Sequence, residues 1–332
     1  MNMDVKQDKP IVAIVIPCYN EEEVLPETAK KLFEKRQQCI DEQLISEKST
    51  ILFVDDGSHD STWEIIEKCY KDNPVAFSGI KLSRNKGHQN AMLCGLLYVK
   101  NKVDAAITID ADLQDDIDAM DEMIRQYHAG NEIVFGVRSD RKKDSFIKRT
   151  LAQGFYRIIS FLGVDTIYNH ADFRLMGKHA LSALAEYNEV NLFLRGIIPT
   201  LLGYKTGKVY FSRKERFAGT RKYTIMKSLK LAIDGITSFS IKPIRLITLL
   251  GFIIFLVSII MIVYFIISYF SGNIITGWAS IVCSIWGIGG LILLSIGIVG
   301  EYIGNIYIET KRRPRFHMEQ ILFTGKEYEL IT

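Results

Sequence analysis

The sequence has no glycine-rich phosphate cradle. Neither G-x-G-x-x-G after the first apolar run nor Gly-Lys-Ser/Thr occurs. Dinucleotide oxidoreductase and P-loop readings therefore lose their usual support. Cysteine is scarce. Cys18, Cys39, Cys69, Cys94 and Cys283 are odd in number and share no metal-like or redox-like spacing. Reduced, buried thiols in a cytosolic domain are expected. The formal net charge is only +3, and no basic arm with interleaved aromatics is present, so nucleic acid is not expected as a partner. An apolar leader is also missing. Met1 to Lys9 is polar, so no cleavable secretion signal is expected.

Charge is missing from two long stretches, Leu246 to Phe270 and Ile274 to Gly300. Each exceeds the about 20 apolar residues that cross a bilayer as helix. Their connector is Ser271-Gly272-Asn273, so a transmembrane helical hairpin is expected, with both flanks on one side. Lys242 and Arg245 precede it; Lys311, Arg312, Arg313 and Arg315 follow it; the connector has no cation. The positive-inside rule then puts the N-terminal domain and the C-terminal tail in the cytoplasm. Tyr223 to Phe239 has helical apolar spacing with Lys222, Lys227 and Lys230 among it, which reads as an interfacial amphipathic helix. Phe146 to Leu162 is a second candidate. The division expected is a cytosolic domain 1–222, an interfacial helix 223–242, two spans 243–308 and a cytosolic tail 309–332.

What the N-terminal part does contain is a series of short apolar runs: Ile11–Ile16, Thr50–Val54, Ser78–Leu82, Ala105–Ile109 and Ile133–Val137. Helical stretches lie between them, at about Glu22–Gln38, Ser61–Tyr70, His88–Val99 and Ile117–His128. Such alternation predicts an α/β domain with a mostly parallel sheet covered on both faces. Ligands of such sheets bind at the carboxyl ends of the strands. Four of those ends carry polar groups: Pro17-Cys18-Tyr19-Asn20-Glu21, Asp55-Asp56-Gly57-Ser58, Ser83-Arg84-Asn85-Lys86-Gly87 and Asp110-Ala111-Asp112-Leu113-Gln114.

Asp110 and Asp112 alternate, so both carboxylates can face one ion. Gln114 adds an amide oxygen. Two carboxylates and an amide suit hard Mg²⁺ or Mn²⁺, which completes its shell with water and substrate phosphates. A diphosphate ligand is implied. Asp55 and Asp56 can accept from a base or ribose, or can serve the turn, with Asp60 or Ser61 capping the next helix. Arg84, Asn85 and Gly87 can approach a phosphate or base, while Ala91 and Gly95 can serve tight helix–sheet packing instead.

Together, Ile14-Val-Ile-Pro-Cys-Tyr-Asn-Glu-Glu, Val54-Asp-Asp-Gly-Ser and Asp110-Ala-Asp-Leu-Gln-Asp resemble an inverting family-2 glycosyltransferase of GT-A, Rossmann-like fold. Ala171-Asp172-Phe173-Arg174-Leu175-Met176 and the apolar hairpin narrow the resemblance to bacterial polyprenyl-phosphate glycosyltransferases, akin to dolichol-phosphate mannose synthase. The resemblance implies a nucleotide-diphosphate sugar donor, UDP-glucose first, and a polyisoprenyl-phosphate acceptor, undecaprenyl phosphate first. It assigns Pro17, Tyr19, Glu21 and Asp56 to the nucleotide sugar, and Asp55 and Arg84 join them as candidates by their place at the strand ends. It assigns Asp110, Asp112 and Gln114 to metal and diphosphate, and Asp172 to the acceptor side. Arg216 and Arg221 fall in a loop over the donor phosphates.

A phosphate monoester is mostly ionised at neutral pH, its second pKa being about 6. Asp172 is therefore expected to orient the acceptor or take a residual proton. Arg174 either holds the lipid phosphate or pairs with Asp172. The localisation expected is the plasma (inner) membrane, multi-pass, with the catalytic domain inside. Glycines Gly287, Gly289, Gly290, Gly297 and Gly300 permit close helix packing and a homo-oligomer. A processive polysaccharide synthase shares the front motifs, but its Gln-x-x-Arg-Trp signature is absent: the tryptophans are Trp63, Trp278 and Trp286. A non-catalytic membrane scaffold would need no metal-ligating set.

Overall fold

The structure is a computed structural model and describes residues 9–139, 170–189, 194, 197–198, 203–212, 242–270, 277–323 and 326–329. The chain divides into two compact units, one built on a sheet and one containing two apolar helices.

The five apolar runs are strands β1 (Val12–Cys18), β2 (Thr50–Asp55), β3 (Phe77–Leu82), β4 (Ala105–Thr108) and β5 (Ile133–Arg138). The four intervening helices are α1 (Leu25–Asp41), α2 (Thr62–Asp72), α3 (His88–Val99) and α4 (Ala119–His128). Successive strand residues point to opposite faces. Every residue of β1 and β2 is buried, so both faces of the centre are covered, which is why these strands read as unbroken apolar runs.

Four more strands complete the sheet: β6 (His170–Gly177), β7 (Thr206–Phe211), β8 (Met318–Phe323) and β9 (Lys326–Glu329). The order is β7-β5-β6-β4-β1-β2-β3-β8-β9. β1 pairs in parallel with β2 and β4, β2 with β3, and β5 with β7. β6 runs antiparallel between β4 and β5, and β8 runs antiparallel between β3 and β9. Among the described strands only β6 and β8 oppose the rest, so the sheet is mostly parallel, as expected. From β1 the chain steps outward through β2 and β3, then returns to place β4 on the other side of β1. The strand order reverses there, and a ligand crevice belongs outside the carboxyl ends at such a reversal.

Local packing holds that geometry. Leu25, Leu32, Ile51, Phe53 and Ile66 are almost wholly buried, each contributing about 1.5–3 kcal/mol of hydrophobic stabilisation. α3 lies so close to the sheet that a Cβ on Gly95 would collide with Val15 and press on Val54. The small residue serves packing, one of the two readings open for it. Lys35 is buried, and its Nζ donates to Asp121 Oδ2 at 2.7 Å and Asp118 Oδ1 at 3.2 Å, tying α1 to α4.

The expected tail, 309–332, is corrected. Thr310 and Lys311 finish the last helix, and β8 and β9 join the main sheet. β8 supplies hydrogen-bond partners to the outer edge of β3, which would otherwise be exposed. Ile321 faces the core, the Tyr70 hydroxyl donates to Phe323 O at 3.3 Å, and Tyr98 meets the Phe323 ring edge-on at 5.4 Å. Lys102 Nζ lies 3.0 Å from the Tyr98 ring centroid. Glu319 and Gln320 interrupt the apolar run, which hid this strand in the sequence.

The second unit contains α6 (Lys242–Phe270) and α7 (Trp278–Lys311), which follow the short α5 (Lys178–Leu184) of the sheet unit. Among the described residues one stretch, Gly287–Lys311, is long and apolar enough to cross a membrane by length and composition. The connector 271–273 and the amphipathic segments Tyr223–Phe239 and Phe146–Leu162 lie outside the described residues.

Candidate active site

The exits of β1 and β2 are stitched to each other. Asp56 N donates to Cys18 O at 2.8 Å. Asn20 N donates to Ser58 Oγ, Glu21 N to Thr62 Oγ1 and His59 N to Asn20 Oδ1, each at 2.9 Å. Asn20 takes a left-handed conformation, φ 51°, which a short amide side chain tolerates. Gly57 has φ 67°, and a Cβ there would strike the backbone of Arg84 and Asn85. Turn 55–58 and loop 83–87 therefore pack backbone to backbone. Pro17 is buried within β1, while Tyr19 and Glu21 are half-buried on the rim.

Both acids at the end of β2 are committed to this scaffold. Asp55 is fully buried; Ser58 N donates to its Oδ1 at 3.1 Å, as does the Ser58 hydroxyl. Asp56 is buried as well, with Lys86 N on Oδ1 at 2.7 Å and Gly87 N on Oδ2 at 2.8 Å. Burial raises both carboxyls above their ordinary range, against the hydrogen bonds that favour their ionised forms. Asp60 Oδ1 accepts from Thr62 N at 3.1 Å, while Ser61, the N-cap residue of α2, makes no side-chain capping bond. Arg84 is exposed on the loop.

The end of β4 is arranged differently. Thr28 Oγ1 anchors Ala111 O at 2.7 Å. Leu113 turns left-handed, φ 49°, and Gln114 N donates to Asp112 Oδ1 at 3.2 Å. Asp110, Asp112 and Gln114 all keep part of their surface open. Asp110 Oδ1 is buried and receives no hydrogen bond; His88 Nε2 lies 3.3 Å from it. The same nitrogen lies 3.9 Å from Asp172 Oδ2.

Asp172 reaches the site because β6 is inserted beside β4, where the Thr108 hydroxyl donates to Asp172 O. Alternate strand residues share a face, so Asp172 and Arg174 meet: Arg174 Nη2 donates to Asp172 Oδ1 at 2.7 Å. Arg174 has no exposed surface. The paired alternative is the one found, with Arg174 wholly buried beside Asp172. Removing either partner would leave a buried charge uncompensated, at a cost of about 3–5 kcal/mol.

Sequence reasoning missed two rim residues. His88 begins α3, and a lone histidine at a helix start gave no signal by itself. Arg138 ends β5 and stands 3.7 Å from buried Asp115. Arg216 and Arg221 lie outside the described residues.

The donor set at β4 can be tested against a metal. Among the described residues, no three His, Cys, Asp or Glu side chains gather about one point. Partly open carboxylates, a buried oxygen that accepts no hydrogen bond and a nearby amide fit a hard cation completed by water and diphosphate, which needs few protein ligands.

The model of glycosyl transferase family 2 matches residues 13–184. An uncharacterized glycosyltransferase of Bacillus subtilis (strain 168), YkoT, is 51% identical over 96% of this chain and 94% of that protein. A prophage bactoprenol glucosyl transferase homolog of Escherichia coli (strain K12) is 36% identical over 93% and 99%, respectively. The bactoprenol glucosyl transferase of Shigella phage SfX is 37% identical over 92% and 97%. With the family model spanning these strand ends and relatives matched over nearly their whole length, the chain belongs to glycosyl transferase family 2.

Proposed function

We propose that this enzyme transfers glucose from UDP-glucose, with inversion, to a polyisoprenyl phosphate, undecaprenyl phosphate first. The reading is carried by an acid cluster at the reversal between β1 and β4, in a chain matched over 92–93% of its length by relatives named bactoprenol glucosyl transferase. Asp110, Asp112 and Gln114 would hold Mg²⁺ or Mn²⁺, which when bound neutralises charge growing on the leaving diphosphate. Pro17, Tyr19 and Glu21 face the nucleoside. Asp55 and Asp56 act through the loops that they hold, and Arg84 stands on one of those loops. Arg216 and Arg221 close over the donor phosphates.

The acceptor phosphate oxygen attacks the anomeric carbon, and the nucleotide diphosphate leaves from the opposite face. The acceptor is already mostly ionised at neutral pH, so Asp172 has little proton to remove. Held by Arg174, it orients the acceptor. The lipid tail stays in the bilayer, which gives the apolar helices their use: α6 and α7 form the hairpin, and interfacial basic segments keep the site at headgroup level. The sheet unit and both termini are cytoplasmic, and the glycines of α7 admit a homo-oligomer.

The test uses membranes containing the full chain, undecaprenyl phosphate and a panel of labelled nucleotide sugars. Label from UDP-glucose is expected in the lipid fraction, and a chelator is expected to abolish it. Absence of lipid-linked label from every donor overturns the reading.

A further inference from the structure

His88 is a rim side chain whose contacts lie on both sides of the proposed reaction. Its Nε2 stands 3.3 Å from Asp110 Oδ1 and 3.9 Å from Asp172 Oδ2. The first carboxylate belongs to the donor side, the second to the acceptor side. We propose that His88 is a positioning residue that sets the separation and orientation of these two carboxylates. The inference rests on the transfer reaction proposed above.

The backbone supports this role. Gly87 precedes His88 with φ 90° and has its N–H bound to Asp56 Oδ2 at 2.8 Å. Lys86 N is bound to the other oxygen of Asp56, and Asn90 Nδ2 donates to Lys86 O at 2.8 Å. The start of α3 is therefore clamped to the end of β2, and the imidazole projects from a fixed point. A neutral imidazole has one N–H and one lone pair. Nε2 is the ring nitrogen that faces both carboxylates. The ring nitrogen thus stands between two acids, one at the exit of β4 and one on β6, and spaces them apart. Gln presents an N–H donor at a similar reach; Ala presents none.

The full chain in membranes is assayed for transfer from UDP-glucose to undecaprenyl phosphate. His88→Ala, His88→Gln, Asp172→Asn and the His88→Ala/Asp172→Asn double variant are compared with wild type. Binding of UDP with Mn²⁺ is measured by titration, and thermal midpoints are recorded. His88→Ala is expected to lose about 10–100-fold in kcat, as groups that orient a site's ligands do, with smaller changes in either KM. His88→Gln recovers most of that loss. The double variant is little worse than Asp172→Asn alone, and UDP–Mn²⁺ binding weakens in His88→Ala.

Equal turnover of His88→Ala and wild type overturns the inference. Multiplicative losses in the double variant do so too, as does a folded His88→Gln no better than His88→Ala. Should His88→Ala fail to fold, near-native turnover in His88→Gln upholds the inference, and a folded but crippled His88→Gln overturns it. Wild type that binds UDP but labels no lipid overturns the acceptor reading and this inference with it. Wild type that labels lipid beside an unimpaired His88→Ala overturns this inference alone.

Discussion

β2 and β4 lie on either side of β1, and each runs into a pair of carboxylates, yet the pairs have opposite employment. Asp55 and Asp56 are buried and turned onto the N–H groups of their own turn and of loop 83–87. Asp110 and Asp112 stay partly open at the strand-order reversal. One pair builds the rim, and the other keeps surface open on it. Two acids at a strand end are thus no indication of a ligand until their hydrogen-bond partners are known.

The comparison is broken most severely at β4. Asp112→Ala is expected to lower transfer to lipid about 1,000-fold or more while the thermal midpoint stays near wild type. Full turnover with a divalent ion present would sink the metal assignment. Asp172→Asn is expected to fall next, with a severe loss of transfer; near-normal turnover would remove it from the acceptor side.

At β2 the balance between activity and stability reverses. Asp56→Asn offers one acceptor oxygen to two backbone donors, so it should cost about 1–3 kcal/mol of stability. For a domain of this size that lowers the midpoint by roughly 2–4 °C per kcal/mol. The effect depends on pH with a definite sign. Burial raises the Asp56 carboxyl above its ordinary 3.8, so the folded state holds this proton more tightly than the unfolded chain. Its contribution is complete below 3.8 and is lost as pH rises through the raised value. The midpoint difference between wild type and Asp56→Asn should therefore shrink from acid toward neutral pH; a difference that widens would contradict the assignment.

Smaller effects sharpen the contrast at the sheet edge and in the core. Phe323→Ala removes the ring packed on Tyr98 and should cost about 1–2 kcal/mol by loosening β8, read as faster hydrogen exchange along β3. Least affected are the thiols. Burial pushes Cys39 and Cys94 up to about 12, and raises Cys18 well above its ordinary value. Alkylation near neutral pH, mapped by mass spectrometry, should leave these three unmodified.

Much of this was legible in the sequence because it is local. A strand buried on both faces must be a short apolar run, and a rim that binds anything must carry polar residues at the strand ends. Ile14-Val-Ile-Pro, Val54-Asp-Asp-Gly and Asp110-Ala-Asp therefore identified β1, β2 and β4 and their exits, and the charge-free stretches identified the apolar helices. Residues 309–332 misled, because Glu319 and Gln320 disguise a strand whose partner lies far back in the chain.

What only the tertiary structure decided are the pairings between distant segments. β6 could have stood anywhere in the sheet. Its antiparallel insertion beside β4 brings Asp172 toward Asp110, and the two-residue strand period turns Arg174 inward as a partner. His88 carries no message in sequence, because its meaning lies in two carboxylates brought to it by other strands. Sequence determined where the acids sit along the chain, through rules that act over a few residues. The fold decided which acids meet, because strand order is set by the burial of the whole sheet.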